Sequence, residues 1–271
     1  MNIVLVCIQN FQHYILTNIK QLTRLKEDSI YVLTHAAFFP YFEGLPVKLV
    51  DVDLLEDSFN YREKSTLDTT TRNGFWVCAS LRFFYIYEFM NQYNVRDVIH
   101  LENDVLTYYN TNELIPFLKD KLYIPFDSYR RNIASIMYIP SASLFKQILE
   151  HYDYSKNDMD NFCFIRDKTS LIENFPIFVK SPSLNAEQLS VCNSSFPFVF
   201  DAAAIGQYLG GVDPRNIIGD TQGFINETCV IHYKDLVFFK EKPFLLLKNT
   251  IIPIFNLHIH SKHLERFLGE T

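Results

Sequence analysis

Residues 74–105, "GFWVCASLRFFYIYEFMNQYNVRDVIHLENDV", decide how the chain folds. Positions 74–93 are apolar over a helical length and read as a buried helix. "DVIHL" (97–101) is the short apolar run of the buried strand that follows it. Glu102 and Asp104 come directly after that strand, on either side of Asn103. Like charges so close raise each other's pKa unless a cation or strong hydrogen bonds share the site. A hard divalent cation such as Mn2+ or Mg2+ takes carboxylate oxygens and leaves positions open for water or phosphate. A solvated acidic turn capping a helix over 106–114 fits the pattern equally well, and the pattern alone does not separate the two.

Towards the N-terminus, "NIVLVCI" (2–8), "SIYVLT" (29–34) and "VKLVDV" (47–52) read as further strands. Between the first two, "FQHYILTNIKQLTRL" places Phe11, Ile15, Ile19, Leu22 and Leu25 near helical spacing. The polar stretch 56–73 has no clear period and reads as a surface loop. Strands alternating with helices predict an α/β fold: a mostly parallel, mixed sheet with helices on both faces. Ligands of such sheets sit beyond the carboxyl ends of the strands, where "ENDV" lies. Later, "KLYIPF" (121–126), "IASIMYIP" (133–140) and "IIPIFNLHIH" (251–260) read as strands. "SASLFKQILEHY" (141–152) reads as a helix capped by Ser141 or Ser143. With no repeat, low-complexity tract or Gly-Ser linker, one domain over 1–271 is expected.

Composition narrows the function classes. The net charge of −6 argues against nucleic acid as a partner, because phosphate backbones need a basic surface. A hydrophobic content of 48% is too high for a disordered chain. The many Tyr and Phe, 16 and 25, suit aromatic packing or a stacking surface for a ring-shaped ligand. Cys7, Cys78, Cys163, Cys192 and Cys229 form no CxxC pair, which suits reduced thiols in an intracellular protein. "MNIVLVCIQN" reads as a strand and not as a signal peptide. No apolar stretch approaches the ~20 residues of a membrane span. The expectation is a soluble, cytoplasmic protein.

Several residues elsewhere are able to carry chemistry. If the last strand runs through His260, then His258, His260 and Lys262 share one face by the period of two. Imidazole joins carboxylates on Mn2+, and a lysine pairs with phosphate; two ordinary histidines at a surface strand end are the bland alternative. Asp201 precedes an Ala-rich segment, "DAAAIGQYLGG", whose Gly206, Gly210 and Gly211 allow close backbone approach. It reads either as a helix N-cap or as an acid facing a substrate. Asp158 and Asp160 in "NDMDNF" stand near the start of another helix, where capping competes with a substrate role. Trp76 and the aromatic run 83–87 read as core.

Residues 74–108 resemble the core of nucleotide-sugar glycosyltransferases of the GT-A fold, in which an apolar helix with a basic residue precedes a strand ending in a "DxD" metal motif. "FDAAAIGQYLGG" (200–211) and "LHIHSK" (257–262) resemble segments of a bacterial and viral branch of these proteins. The three segments cover less than half of the chain. The resemblance implies a Mn2+- or Mg2+-dependent transferase that takes a nucleotide-diphosphate sugar as donor and a glycan or other hydroxyl as acceptor. It implies that Asp104 ligates the metal, and that Glu102 touches the metal or the ribose. His258 or His260 would complete the metal site, and Lys262 and Arg82 would approach the diphosphate. Asn103 and Gln9 would belong to the donor-binding set, Gln9 and Asn10 lying where this fold meets the base. Asp201 and Asp158 are then the candidate catalytic acids. Residues 1–120 would hold the donor, and 121–271 the acceptor side and the C-terminal metal and diphosphate segment. Two departures stand out: Glu replaces the usual first Asp, and the His-x-x-Gly-x-x-Lys form of glycogenin-type enzymes is absent. A sugar-1-phosphate nucleotidyltransferase is disfavoured, because "CIQNFQHYI" carries no glycine for a phosphate loop. An idle nucleotide-sugar- or glycan-binding module remains the alternative from another class.

Overall fold

The structure is a computed structural model, and it describes residues 1–70, 73–128, 131–177, 195–203, 205–210, 236–239, 242–247 and 250–268. The chain begins with β1 (Asn2–Cys7), α1 (Tyr14–Arg24), β2 (Ser29–Thr34) and β3 (Lys48–Asp51). A short α2 (Tyr61–Lys64) and the long α3 (Phe75–Gln92) lead to β4 (Val98–Leu101) and β5 (Val105–Thr107). Then come β6 (Leu122–Ile124), β7 (Phe126–Ser128), β8 (Arg131–Asn132), β9 (Ile136–Ile139), α4 (Ala142–Leu149), α5 (Asp158–Lys168) and β10 (Ile172–Asn174). The described chain closes with β11 (Leu236–Phe239), β12 (Lys242–Leu247), β13 (Thr250–Pro253) and β14 (Asn256–His258).

Seven strands form one sheet in the order β10-β6-β9-β4-β1-β2-β3. All neighbours in it are parallel except β9, which runs antiparallel to both β4 and β6. This is the mostly parallel mixed α/β sheet that the alternating pattern predicts. From β1 the chain steps one way to β2 and β3, and β4 returns to the other side of β1. That reversal falls at the carboxyl ends of β1 and β4, the usual ligand position in such sheets.

The period of two sorts each central strand between two cores. Ile3, Leu5, Ile99 and Leu101 pack against Ile15, Ile19 and Leu22 of α1 and against Leu106 and Leu257. Val4, Val6 and Val98 pack on the opposite face against Phe83, Ile86 and Met90 of α3, with Phe145 of α4 and Phe162 of α5. α1 is amphipathic because its fully buried Ile15, Ile19 and Leu22 recur at intervals of four and three. α3 is buried nearly all round from Ser80 to Met90, which is why it carries so little polarity; the run 83–87 is core, as read from the sequence. Ser141 caps α4, its side chain accepting from the Leu144 N–H at 3.3 Å.

Three local expectations need correction. The segment 56–73 is not all surface loop: Tyr61 in α2 is fully buried and stacks on Phe84 with ring centroids 4.4 Å apart. Residues 106–114 hold no α-helix but β5 and then a 3-10 turn, Thr111–Phe117, interrupted by Pro116. The stretch 251–260 is two strands, because Ile254 leaves the β11–β13 ribbon to bridge Val199 before β14 begins. Among the described cysteines, Cys7 and Cys78 are free thiols, and Cys163 Sγ lies 3.9 Å from Asp167 Oδ2. Among the described residues no helix is long and apolar enough to cross a membrane. Cys192 and Cys229 lie outside the described residues.

Candidate active site

The sheet sets the site by ending β4 at Leu101. The Glu102 N–H then donates to the Ser135 carbonyl at 2.9 Å, and a tight turn closes with the Val105 N–H on the Glu102 carbonyl at 3.0 Å. That turn carries Glu102 and Asp104 beyond the carboxyl end of β4 and feeds straight into β5. β14 pairs antiparallel with β5, setting His258 opposite Val105, and the Ile259 N–H donates to the Asp104 carbonyl at 2.9 Å. A residue from the far end of the sequence is thereby brought beside the acidic turn. His258 Nε2 lies 3.1 Å from Glu102 Oε2 and 3.4 Å from Asp104 Oδ2. One ligand atom from each of Glu102, Asp104 and His258 falls within 4.8 Å of the others.

The imidazole orientation follows from its second nitrogen. His258 Nδ1 is 2.6 Å from the Ala202 carbonyl, which only accepts, so Nδ1 carries the proton and Nε2 faces the carboxylates. A backbone carbonyl on the remote nitrogen is how metal-binding histidines are usually held. Two carboxylates and an imidazole, with no thiolate among them, form a donor set that fits Mn2+ or Mg2+.

Cations and anions alternate through the cluster. Arg82 on α3 bonds Glu102 and also reaches Asp158 Oδ2 at 3.1 Å. Its guanidinium rests 4.6 Å from the Phe83 ring centroid. Lys262 bonds Asp104 and lies 5.6 Å from the Tyr14 ring centroid. Burial pushes the Glu102 pKa up, but Arg82 and His258 outweigh it and hold the carboxyl well below its usual range. Asp104 is held low in the same way, by Lys262 and His258 against its own burial. For His258 burial works downward, yet Asp104 and Glu102 raise it well above the ordinary imidazole value. Asp158 goes the other way, raised by burial despite Arg82.

The remaining sequence candidates fare differently. His260 does not share the strand face with His258, because β14 stops at His258. Its ring packs edge-on against His258 with centroids 4.3 Å apart, and burial with His258 beside it pushes its pKa down to about 3. Lys262 sits in a turn at φ 65°, its N–H on the Ile259 carbonyl at 3.1 Å, so it reaches Asp104 by a bend of the chain and not by strand periodicity. Asn103 is engaged elsewhere: its Nδ2 donates to the Val6 carbonyl at 2.7 Å and to Gln12 Oε1 at 2.6 Å. Gln9, at φ 70°, is exposed beyond β1 and donates to the Asn73 carbonyl; Asn10 beside it is exposed too. Asp160 is exposed in the first turn of α5, where it accepts from Asn157 Nδ2 at 2.9 Å.

Asp201 departs furthest from its sequence reading. No α-helix follows it within the described residues; a single 3-10 turn, Gly206–Tyr208, does. The carboxylate is fully buried and accepts the backbone N–H groups of Ile205 (3.0 Å), Gly206 (2.7 Å) and His258 (2.9 Å). These amides occupy three of the carboxylate's roughly four acceptor positions, which leaves little capacity for a base or sugar contact. Gly206 approaches so closely that a Cβ there would lie 2.2 Å from the His258 carbonyl oxygen. Gly210 occupies the left-handed region at φ 74°, and Gly211 lies outside the described residues. Ser135 and Asn256 support the site through side-chain bonds to the Asp201 backbone, and Ala202 through its carbonyl; none of the three left a mark in the sequence, because each meets a residue far away along the chain.

No protein-family model matches the chain, and no curated protein matches it. Among solved structures it is similar to the apo form of mouse xyloside xylosyltransferase 1, at 14% identity, covering 65% of this chain and 84% of that one with a TM-score of 0.45. A galactosyltransferase, LgtC, in complex with donor and acceptor sugar analogues is 14% identical, with 65% and 73% covered and a TM-score of 0.41. The glycosyltransferase GlyE of Streptococcus pneumoniae is 15% identical, with 65% and 47% covered and a TM-score of 0.39. At that depth the likenesses assign no activity to this chain.

Proposed function

We propose that the chain is a divalent-metal-dependent glycosyltransferase, moving a monosaccharide from a nucleotide-diphosphate sugar to a glycan or other hydroxyl acceptor. The observation that carries this reading is the convergence of Glu102, Asp104 and His258 at the carboxyl end of β4, beside the reversal point of the sheet. These three residues would hold Mn2+ or Mg2+. The ion supplies Lewis-acid neutralisation of the charge that grows on a nucleoside diphosphate as it leaves.

The protein's own groups support the same chemistry. Arg82 and Lys262 bring fixed positive charge to the acidic cluster, where a diphosphate would lie, and such preorganised charge stabilises a departing anion at no reorganisation cost. Arg82 also fixes Asp158 beside Glu102, which suits a carboxyl that orients hydroxyls of the donor sugar. Gln9, exposed just beyond β1, would meet the nucleotide end of the donor. Residues 1–120 then form the donor half, and the later chain returns β14 and Lys262 to close the site. Free thiols at Cys7 and Cys78 suit work in a reducing compartment such as the cytoplasm.

The test is hydrolysis of a panel of UDP- and GDP-sugars with Mn2+, each reaction repeated with chelator. Metal-dependent release of nucleoside diphosphate supports the reading. Binding of a nucleotide-sugar with no turnover across the panel would favour an idle binding module instead.

A further inference from the structure

We propose that Asp201 is a positioning residue for His258, one that sets the metal site through the backbone and touches neither donor nor acceptor; the inference rests on the metal reading above. Asp201 is fully buried, and its carboxylate gathers amides from two separate strands of chain. Oδ2 takes the His258 N–H at 2.9 Å and the Gly206 N–H at 2.7 Å, while Oδ1 takes the Ile205 N–H at 3.0 Å. One side chain thus bolts the end of β14 to the 201–206 loop. The next residue in that loop, Ala202, supplies the carbonyl that fixes the His258 ring at 2.6 Å. The backbone and the ring of the same histidine are therefore held from adjacent residues.

The loop is itself registered to the acidic turn. Asn256 accepts the Asp201 N–H at 3.3 Å and returns its Nδ2 to the Asp201 carbonyl at 2.9 Å. Ser135 Oγ donates to that carbonyl at 3.2 Å, and the Ser135 carbonyl receives the Glu102 N–H at 2.9 Å. A closed circuit runs from Glu102 through Ser135 and Asp201 to His258. Asp104 joins it where its carbonyl takes the Ile259 N–H. Gly206 is needed in this circuit because a Cβ would strike both the His258 carbonyl and Asp201 Oδ2, at 2.2 and 2.8 Å. An Asp serves where Asn does not, since the three amides require two accepting oxygens and a carboxamide offers one.

Outer partners of metal-bound histidines typically contribute about 10–100-fold to metal affinity. Titration of Mn2+ into the purified protein, followed by the EPR signal of the free ion, should show a loss in that range for Asp201→Asn, with circular dichroism unchanged. Turnover of the variant should recover as Mn2+ is raised, which a general-base defect would not do. If wild type binds Mn2+, Asp104→Ala does not, and Asp201→Asn binds as tightly as wild type, the positioning role is overturned and the metal reading stands. If wild type itself takes up no Mn2+, both fall. Should Asp201→Asn not fold, Asn256→Ser decides: it loosens the same loop while keeping the carboxylate, and unchanged Mn2+ affinity there overturns the inference.

Discussion

Replacing Arg82 by Met tests whether the cluster is held by its internal cation. The guanidinium side chain is 12% exposed and bridges carboxylates that are 21% and 5% exposed, those of Glu102 and Asp158. Met keeps most of the volume and the contact with Phe83, so the loss is mainly electrostatic. Breaking a buried ion pair by removing one partner costs about 3–5 kcal/mol, because the other charge stays behind uncompensated. Here two carboxylates stay behind, one already raised by burial. At about 2–4 °C per kcal/mol for a chain of this size, melting should fall by about 6–20 °C. Urea denaturation of wild type and Arg82→Met supplies the free-energy difference, and adding Asp158→Leu to the variant should recover part of it. A cost below about 1 kcal/mol, the range of surface pairs, would refute the reasoning. It would mean that solvent, and not Arg82, neutralises these carboxylates.

Asp104→Ala should abolish metal-dependent sugar release while leaving the circular dichroism spectrum intact, since the residue lies in the turn between β4 and β5 and outside both apolar cores; loss of its pairs with Lys262 and His258 should show as a lower melting temperature. His258→Ala and His260→Ala should separate in a Mn2+ titration, the first losing the ion and the second retaining it; equal losses would return His260 to the ligand set. Gly206→Ala should weaken Mn2+ binding and lower the melting temperature, because the His258 carbonyl must move to admit the methyl group. A variant indistinguishable from wild type in both would show that the 201–206 loop yields freely.

The front half of the fold was legible because its strands are buried on both faces. "NIVLVC" and "VIHL" are nearly continuous apolar runs, and only a sheet covered by helices demands that. α1 showed its period because one side meets solvent, and α3 showed itself by length and apolarity alone. The C-terminal segment was harder to read. "IIPIFNLHIH" keeps an apolar residue at nearly every other position across the break, so its pattern does not mark where it leaves the ribbon of β11–β13, bridges Val199 and joins β5. The alternation of His258 and His260 suggested a shared face, but the strand ends as Ile259 bonds the Asp104 carbonyl.

The candidate site divides along the same line. Glu102, Asp104 and His258 stood out as residue types with obvious chemistry, and the structure gathers them. Asn103 and Asp201 carry equally suggestive side chains, yet the Asn103 Nδ2 and both Asp201 carboxylate oxygens are already engaged by internal partners. A sequence displays which groups can react, not which backbone amides have already taken them. Arg82 lies between the two cases, a basic residue read as a diphosphate contact that is already shared by two carboxylates.

Binding of a nucleotide-sugar through a divalent ion at Glu102, Asp104 and His258 is measured by thermal shift with a nucleotide-sugar panel, with and without Mn2+. A ligand held at a hundred times its Kd adds about 2.7 kcal/mol, or about 5–11 °C at this chain length. At least one nucleotide-sugar should raise the melting temperature by that order only when Mn2+ is present, and Asp104→Ala should erase the effect. An equal shift without the metal, or no shift from any nucleotide-sugar with it, would show that the cluster does not bind a donor through a divalent ion.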